Sequence, residues 1–156
     1  MKKVILYSCI FLLITSCSKK DNSAGSSNSW TFAGKSYKAA SVSYINGGSE
    51  SNLSASASGS TSNNSNGLVF TFITPPTQST QMLITNTNDS NTVFVSTSNL
   101  TGTTTTFYSN DVTTIKANVT VTNGKIGISF PGTIWLHNDS NFNDSAQLSV
   151  GTITQQ

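Results

Sequence analysis

The sequence predicts an all-β protein, an antiparallel β-sandwich or barrel of about nine or ten short strands. Apolar and polar residues alternate with period two along most of the chain, and no segment has the 3.6-residue period of a helix. Turn-forming Asn, Ser and Gly separate the alternating segments. The 23 threonines supply β-branched side chains, which suit the solvated face of a strand.

The first element of the chain, residues 1–16, has the form of an export signal. Lys2 and Lys3 precede an apolar run over residues 4–14 that only Ser8 interrupts. That run is shorter than the roughly 20 apolar residues that a membrane-spanning helix requires. Its charge and length are those of a secretory signal peptide.

The signal ends in Ile14-Thr15-Ser16-Cys17, which resembles a bacterial lipobox. The resemblance implies cleavage between Ser16 and Cys17, followed by acylation of the Cys17 sulfur and of its new amino group. Several acyl chains hold a protein on a membrane where one chain binds only marginally. A non-lipidated signal and an N-terminal transmembrane anchor are the alternatives.

Residues 17–29 are expected to form the lipidated Cys17 and a flexible tether, because Ser, Asn and Gly dominate this segment. By resemblance to lipoprotein sorting signals, Ser18 after the cysteine favours the outer membrane. Surface-exposed lipoproteins of Bacteroidota carry several acids at this point, whereas Asp21 here is flanked by Lys19 and Lys20. A periplasmic and a cell-surface orientation therefore both remain open.

Charge and cysteine content restrict the classes of partner and the sources of stability that this chain can have. Loss of the signal removes Lys2 and Lys3, which leaves six lysines against six acidic residues and a net charge of zero. The chain contains no arginine and no basic stripe, so no nucleic-acid partner is expected. Cys9 lies in the signal and Cys17 would carry lipid, so a packed core has to provide the stability without a disulfide.

Residues 30–156 are expected to form a single β-domain. Its first strand contains Trp30 and Phe32, and a turn follows at residues 33–35. A strand that is apolar on both faces ends before Pro75 and Pro76, since proline cannot donate to a strand ladder. The strands after the first turn, apart from those of the hairpin described next, are predicted at residues 37–44, 53–57, 68–73, 82–85, 92–96, 105–109, 133–137 and 146–154, the last with a bulge at Gly151.

A β-hairpin is predicted within residues 113–130. Asn123-Gly124 is a favoured pair for a two-residue type I′ turn, in which both positions have positive φ. Such a turn pairs apolar residues across the two strands, so turn chemistry and alternation select the same register. The predicted pairs are Val121 with Ile126, Val119 with Ile128, and Ala117 with Phe130.

The lipobox, the short polar tether, the segment WTFAGKSY at residues 30–37 and the segment NGKI at residues 123–126 together resemble small uncharacterised Bacteroidota lipoproteins. The resemblance implies a β-rich fold. It implies no assigned activity and brings no catalytic residues with it.

The sequence offers little for catalysis, so a non-enzymatic protein is expected. His137 is the only histidine, and the chain has no Gly-x-Ser-x-Gly segment. A glycosidase needs two carboxylates across a cleft, but the acids of the β-domain all lie in turn-like sequence. These acids are Glu50, Asp89, Asp111, Asp139 and Asp144.

No metal or cofactor is expected, and calcium is the only plausible ion. Asp139, Asn141 and Asn143 alternate like the first ligands of a calcium loop. However, Asp144 replaces the loop glycine and Val150 stands where a bidentate Glu belongs, which favours an ordinary Asn-rich turn. The same segment contains Asp144-Ser145-Ala146, which resembles an O-glycosylation motif of exported Bacteroidota proteins and makes Ser145 the candidate acceptor.

Aromatic residues are the remaining binding candidates. Trp30, Trp135 and Tyr108 would stack on a sugar if their rings were exposed, and they would pack in the core otherwise. The leading expectation is a lipid-anchored outer-membrane protein with a structural, interaction or accessory role. A binding module for a glycan or small apolar ligand is the alternative, and a hydrolase is the third. The membrane is the expected partner through the lipid, with a protein or glycan partner left open.

Overall fold

The computed structural model describes residues 28–58, 66–98, 106–109 and 114–156, and these form twelve strands. The predicted signal, Cys17 and the predicted tether up to residue 27 lie outside the described residues. The strands are β1 Ser29–Phe32, β2 Lys35–Asn46, β3 Ser51–Ala57, β4 Gly67–Phe72, β5 Thr80–Ile84, β6 Thr92–Ser98, β7 Thr106–Ser109, β8 Lys116–Thr122, β9 Lys125–Ser129, β10 Thr133–Asn138, β11 Ser145–Val150 and β12 Ile153–Thr154.

Eight of the strands close into an antiparallel barrel. Their order is β6-β4-β3-β2-β1-β11-β10-β7, and β7 pairs back with β6 to complete the ring. The predicted all-β antiparallel fold is therefore confirmed, and the closed ring makes it a barrel. Closure satisfies the backbone hydrogen-bonding groups that an open sheet would leave at its edges.

The other four strands extend the sheet from β6. β5 runs parallel to β6 at Thr92 and Val93, whereas β7 pairs with β6 at Ser96–Ser98, so the two strands share one edge of β6. From β5 the extension continues through β8 and β9 to β12. The result is a barrel with a four-stranded extension.

The predicted last strand, at residues 146–154, is divided in two. β11 ends at Val150, and β12 begins at Ile153 and pairs with β9 instead of β10. Gly151 lies at the break, where its N–H donates to the Ser29 carbonyl at 3.2 Å. Ile153 is therefore buried by a change of strand partner and not by a bulge within one strand. The division also adds a strand, which is one reason why the structure has twelve strands and not the nine or ten expected.

The predicted hairpin is confirmed. Asn123 and Gly124 have φ values of 52° and 75°, as a type I′ turn requires. Val121 pairs with Ile126 and Val119 with Ile128. The ladder stops at Asn118–Ser129, so the third predicted pair, Ala117 with Phe130, lies beyond it.

The core is one continuous apolar cluster that includes residues of the barrel and of the extension. An eight-stranded barrel is just wide enough for side chains to fill its interior. The largest fully buried side chains come from both parts of the molecule: Phe32, Phe70, Phe72, Leu53, Leu68, Ile84, Ile128, Ile134, Leu136, Leu148, Ile153 and Val93.

In the part of the chain that the structure describes, no helix has the length and apolar character to cross a membrane.

Candidate binding surface

The outward face of three neighbouring barrel strands, β6, β7 and β10, carries aromatic rings. Tyr108 on β7 lies opposite Ser96 of β6 on one side and His137 of β10 on the other. Side chains on a strand alternate between faces, so Phe94 and Trp135 point to the same outward side. Their neighbours in the sequence, such as Val93, Val95, Ile134 and Leu136, are buried in the core.

Ring contacts join four of the outward side chains in two pairs. Phe94 and Tyr108 stack with centroids 6.0 Å apart. His137 stacks on Phe142, which lies in the loop after β10, with centroids 4.6 Å apart and planes 8° from parallel. We call Phe94, Tyr108, Trp135, His137 and Phe142 together the aromatic surface.

Two rings of the aromatic surface are well exposed. The solvent-exposed fraction of Trp135 is 52%, and that of Phe142 is 53%. Tyr108, Phe94 and His137 are half-buried. The surface therefore offers two open rings beside three partly covered ones, whereas isolated exposed apolar residues are common on proteins and need no explanation.

The strand positions around the aromatic surface are uncharged, and apart from the half-buried Val69, which pairs with Ser96, they are polar. Gln147 pairs with Trp135 and is exposed, and Ser145 pairs with His137 and is half-buried. On the other side Thr71 pairs with Phe94 and donates a 2.7 Å hydrogen bond to the Asn52 side chain. The surface thus combines apolar rings with hydroxyl and amide groups, the usual composition of a small-ligand site.

The loop that carries Phe142 is held by its own polar side chains. Asn138 donates to an Asp144 carboxylate oxygen at 2.9 Å and accepts from the Ser140 N–H at 2.8 Å. The Asn141 side chain accepts from the Asn143 N–H at 3.3 Å. His137 Nδ1 lies 3.2 Å from the Phe142 carbonyl, where only an Nδ1–H can donate. These bonds hold Phe142 against His137.

The candidate calcium ligands, Asp139, Asn141 and Asn143, are all exposed in this loop. The Asn141 side-chain oxygen already accepts a backbone N–H, as in an ordinary Asx turn. Within the described ranges, no three His, Cys, Asp or Glu side chains come together as a metal-binding group.

Trp30 occupies a different environment from Trp135. It is 2% exposed, and its ring stacks on Tyr37 with centroids 5.5 Å apart. Burial raises the pKa of the Tyr37 phenol, because the low-dielectric surroundings disfavour its charged form. Trp30 is buried in phase with Phe32, so of the two arrangements that the sequence leaves open for it, the structure has the core position.

An open groove of about 950 Å³ lies beside Trp30, between the ends of β1 and β11 and the segment after β9. Its lining is rich in hydroxyl groups and includes Lys38, and Trp30 and Tyr37 contribute to it. Among the described residues, the buried Trp30 Nε1–H finds no hydrogen-bond acceptor. Neither Trp135 nor Tyr108 lines the groove, so the structure separates the three candidate stacking residues.

The described acids lie in turns and loops, as the sequence indicates, and two of them share one loop. Glu50 is in the turn between β2 and β3, and Asp89 precedes β6, where its side chain accepts from the Asn91 N–H at 3.1 Å. Asp139 and Asp144 are in the loop before β11, while Asp111 is outside the described residues. Ser145, the candidate glycosylation site, is the first residue of β11.

Comparison of the chain with protein-family models, curated proteins and solved structures finds no match. Phe94 and Phe142 were not among the sequence-predicted site residues. The alternation of β6 indicates that Phe94 faces away from Val93 and Val95, and this signal is available in the sequence. The contact between Phe142 and His137 depends on the loop conformation, which alternation does not predict.

Proposed function

We propose that this protein is an exported lipoprotein, anchored in the outer membrane through Cys17, whose β-domain is a non-enzymatic interaction module. The observation that carries the proposal is the aromatic surface on the outside of the barrel, where Trp135 and Phe142 are each more than half exposed. Exposed and clustered large rings mark interaction sites on soluble domains.

The start of the described chain supports a tethered arrangement. The backbone of Asn28 bonds to Thr152 and Ala39, and its side chain accepts the Thr154 N–H at 2.6 Å. These hydrogen bonds attach Asn28, the residue next to the proposed tether, to the β-domain. The Gly151 N–H donates to the Ser29 carbonyl, so this end of β11 lies beside the start of β1. Ser145, at the other end of β11, is six residues from Gly151, a distance of about 20 Å along an extended strand at 3.3 Å per residue. The aromatic surface lies toward the other end of β11, since Trp135 pairs with Gln147 and His137 with Ser145.

The distribution of acids supports a non-enzymatic role. A carboxylate-pair mechanism needs two acids that face each other across a cleft. Two of the described acids occupy separate turns, and the other two lie in the loop before β11, where the Asp144 carboxylate accepts a hydrogen bond from Asn138. His137 stacks on Phe142 and bonds to its carbonyl, which is a structural arrangement. Filled packing of the barrel interior argues against an apolar ligand within it.

Metabolic labelling with an alkyne fatty acid tests the anchor. The wild-type protein should carry the label and sediment with membranes, whereas Cys17→Ala should lose both properties because it lacks the acylated sulfur. Ser18→Ala is the matched control and should remain labelled. Label retained in Cys17→Ala would contradict the lipid anchor.

Retention on whole cell envelopes tests the interaction surface. The purified lipoprotein in detergent should bind isolated envelopes from which the endogenous protein has been deleted. Trp135→Ala with Phe142→Ala should abolish this binding. Thr122→Ala is the control, since Thr122 is exposed beside the Asn123-Gly124 turn of the extension, outside the barrel strands that carry the rings. Equal retention of all variants would contradict a role for the aromatic surface.

A further inference from the structure

We infer that the aromatic surface is a carbohydrate-binding platform that takes a neutral glycan, with Trp135 as its principal stacking ring. The inference rests on the proposed function, because it names the ligand class of the same surface. It follows from three properties of the described residues: the open face of Trp135, the spacing of the rings and the uncharged polar groups around them.

The first property is the open ring. A pyranose presents a face of C–H groups, which packs on the face of an aromatic ring and needs that face to be free. Trp135 is 52% exposed and stands on β10 between the inward-facing Ile134 and Leu136, whose burial fixes the direction of the indole. A rigid strand therefore holds the ring outward without a conformational change on binding.

The second property is the spacing. Phe94 and Trp135 stand on β6 and β10, one on each side of β7, so the two positions are separated by two strand spacings, about 10 Å. Tyr108 lies between these strands and contacts Phe94. Phe142 stacks on His137 at the edge of the group. Rings distributed in this way contact more than one sugar unit, which favours an oligosaccharide over a monosaccharide.

The third property is the polar surround. The outward positions beside the rings are occupied by Ser96, Gln147, Ser145 and Thr71, with Asn52 bonded to Thr71. Hydroxyl and amide groups both donate and accept hydrogen bonds, which matches the hydroxyl groups of a sugar. None of these strand positions carries a charge, and the loop that carries Phe142 contains two exposed acids, Asp139 and Asp144, so a neutral glycan fits the surface better than an anionic one.

A protein partner fits the surface less well. Specific protein interfaces bury about 800 Å² on each partner around an apolar centre that is enriched in aromatic residues, Met and Arg. The chain contains no arginine. Apart from the half-buried Val69, which pairs with Ser96, the strand positions next to the rings are small and polar, so the rings are not surrounded by a continuous apolar patch.

Affinity electrophoresis of the full lipoprotein in detergent tests the inference. The probes are neutral polysaccharides (an α-glucan, a mixed-linkage β-glucan, xyloglucan and a mannan) and two anionic ones, polygalacturonate and heparin. At least one neutral polysaccharide should retard the wild-type protein. Trp135→Ala should weaken the binding by about tenfold, a loss of about 1.4 kcal/mol. Phe142→Ala should weaken it less, and Thr122→Ala should leave it unchanged.

Tryptophan emission gives an independent measurement. The protein has two tryptophans, and only Trp135 is exposed, so a bound oligosaccharide should shift the emission and protect it from acrylamide quenching. Circular dichroism of each variant verifies that the barrel is folded, which is expected because the substituted side chains are at the surface.

The outcomes separate this inference from the proposed function. Retardation by no neutral polysaccharide, by the anionic ones only, or equally in Trp135→Ala would overturn the carbohydrate inference. If envelope retention still depended on Trp135 and Phe142 in such a case, the interaction surface would stand and its partner would be of another class. Loss of both results would overturn both proposals.

Discussion

Trp30 and Trp135 show how the phase of a strand decides the environment of a residue. Trp30 is in phase with Phe32, and both point into the barrel. Trp135 is out of phase with Ile134 and Leu136, so the burial of those two turns the indole outward. The same side chain therefore contributes to the core at one position and to the exposed aromatic surface at the other, because successive residues of a strand face opposite sides of the sheet.

Tyr37 should make the stability of the domain fall at high pH. Burial raises the pKa of its phenol above the ordinary value of 10.0, so above pH 10 the unfolded chain loses this proton before the folded one does. The contribution is complete below pH 10 and is lost as the pH rises toward the folded pKa. Urea unfolding between pH 8 and pH 11 measures the slope, and Tyr37→Phe should reduce it; an unchanged slope in Tyr37→Phe would assign the effect to other groups.

Gly127 should not tolerate a side chain. A Cβ at this position would lie 2.6 Å from Thr120 Oγ1 and 3.1 Å from Thr154 Oγ1, because β9 is between β8 and β12. We expect Gly127→Ala to lower the free energy of unfolding by about 1–3 kcal/mol. Adding Thr120→Ala removes the closer atom and should restore part of the loss in urea unfolding. No recovery in the double variant would place the strain elsewhere.

At the scale of elements, short turns set the register of whole strands. Two turns have positive φ at both central positions, Ala33-Gly34 and Asn123-Gly124, and each fixes the pairing of the strands that it joins. The loop between β10 and β11 differs, because it depends on side-chain bonds of Asn138 and Asn141 to nearby groups. Turn residues of the first kind are predictable from the sequence, and bonds of the second kind depend on the folded loop.

Gly124→Ala should weaken the hairpin through backbone strain alone. Gly124 has φ 75°, and no atom lies within 4 Å of a Cβ built there, so no steric contact contributes. The left-handed conformation should cost about 1–2 kcal/mol in thermal unfolding. Asn123→Gly, at a position with φ 52°, is the control and should change stability little. Equal losses in both variants would indicate that the Asn123 side chain matters more than the backbone.

Calcium should leave the melting temperature of the protein unchanged. The Asp144 carboxylate and the side-chain oxygen of Asn141 already accept hydrogen bonds within the loop, and within the described residues no three His, Cys, Asp or Glu side chains come together as a metal-binding group. Differential scanning calorimetry with millimolar calcium and with chelator measures this. A rise in melting temperature that the chelator reverses and that Asp139→Asn abolishes would restore calcium as a ligand of the loop.

At the scale of the molecule, the C-terminal strand connects the barrel with its extension. β12 pairs with β9, the Thr154 N–H donates to the Asn28 side chain, and the Gln156 N–H donates to the Val42 carbonyl of β2. Ile153 is fully buried in the same cluster as the barrel residues. The extension and the barrel should therefore unfold together as one cooperative unit.

Ile153→Ala tests this cooperativity. We expect the free energy of unfolding to fall by about 2–5 kcal/mol, the usual range for removing a large buried aliphatic side chain. Far-ultraviolet circular dichroism and tryptophan emission should still give coincident transitions. Val121→Ala, which removes a half-buried side chain of the extension, should cost less. Two separated transitions would show that the extension unfolds independently.

The sequence by itself determined the all-β class, the strand phases and the Asn123-Gly124 hairpin, because period-two alternation and turn chemistry are local properties. It also indicated that acids and Asn collect in turns. Tertiary structure alone decided that β7 pairs with β6 to close the barrel, that β12 changes partner after Gly151, and that Phe94, Tyr108, Trp135, His137 and Phe142 meet on one outward face. These features depend on which distant strands become neighbours, and alternation within a strand fixes the face of a residue but not the identity of its neighbours.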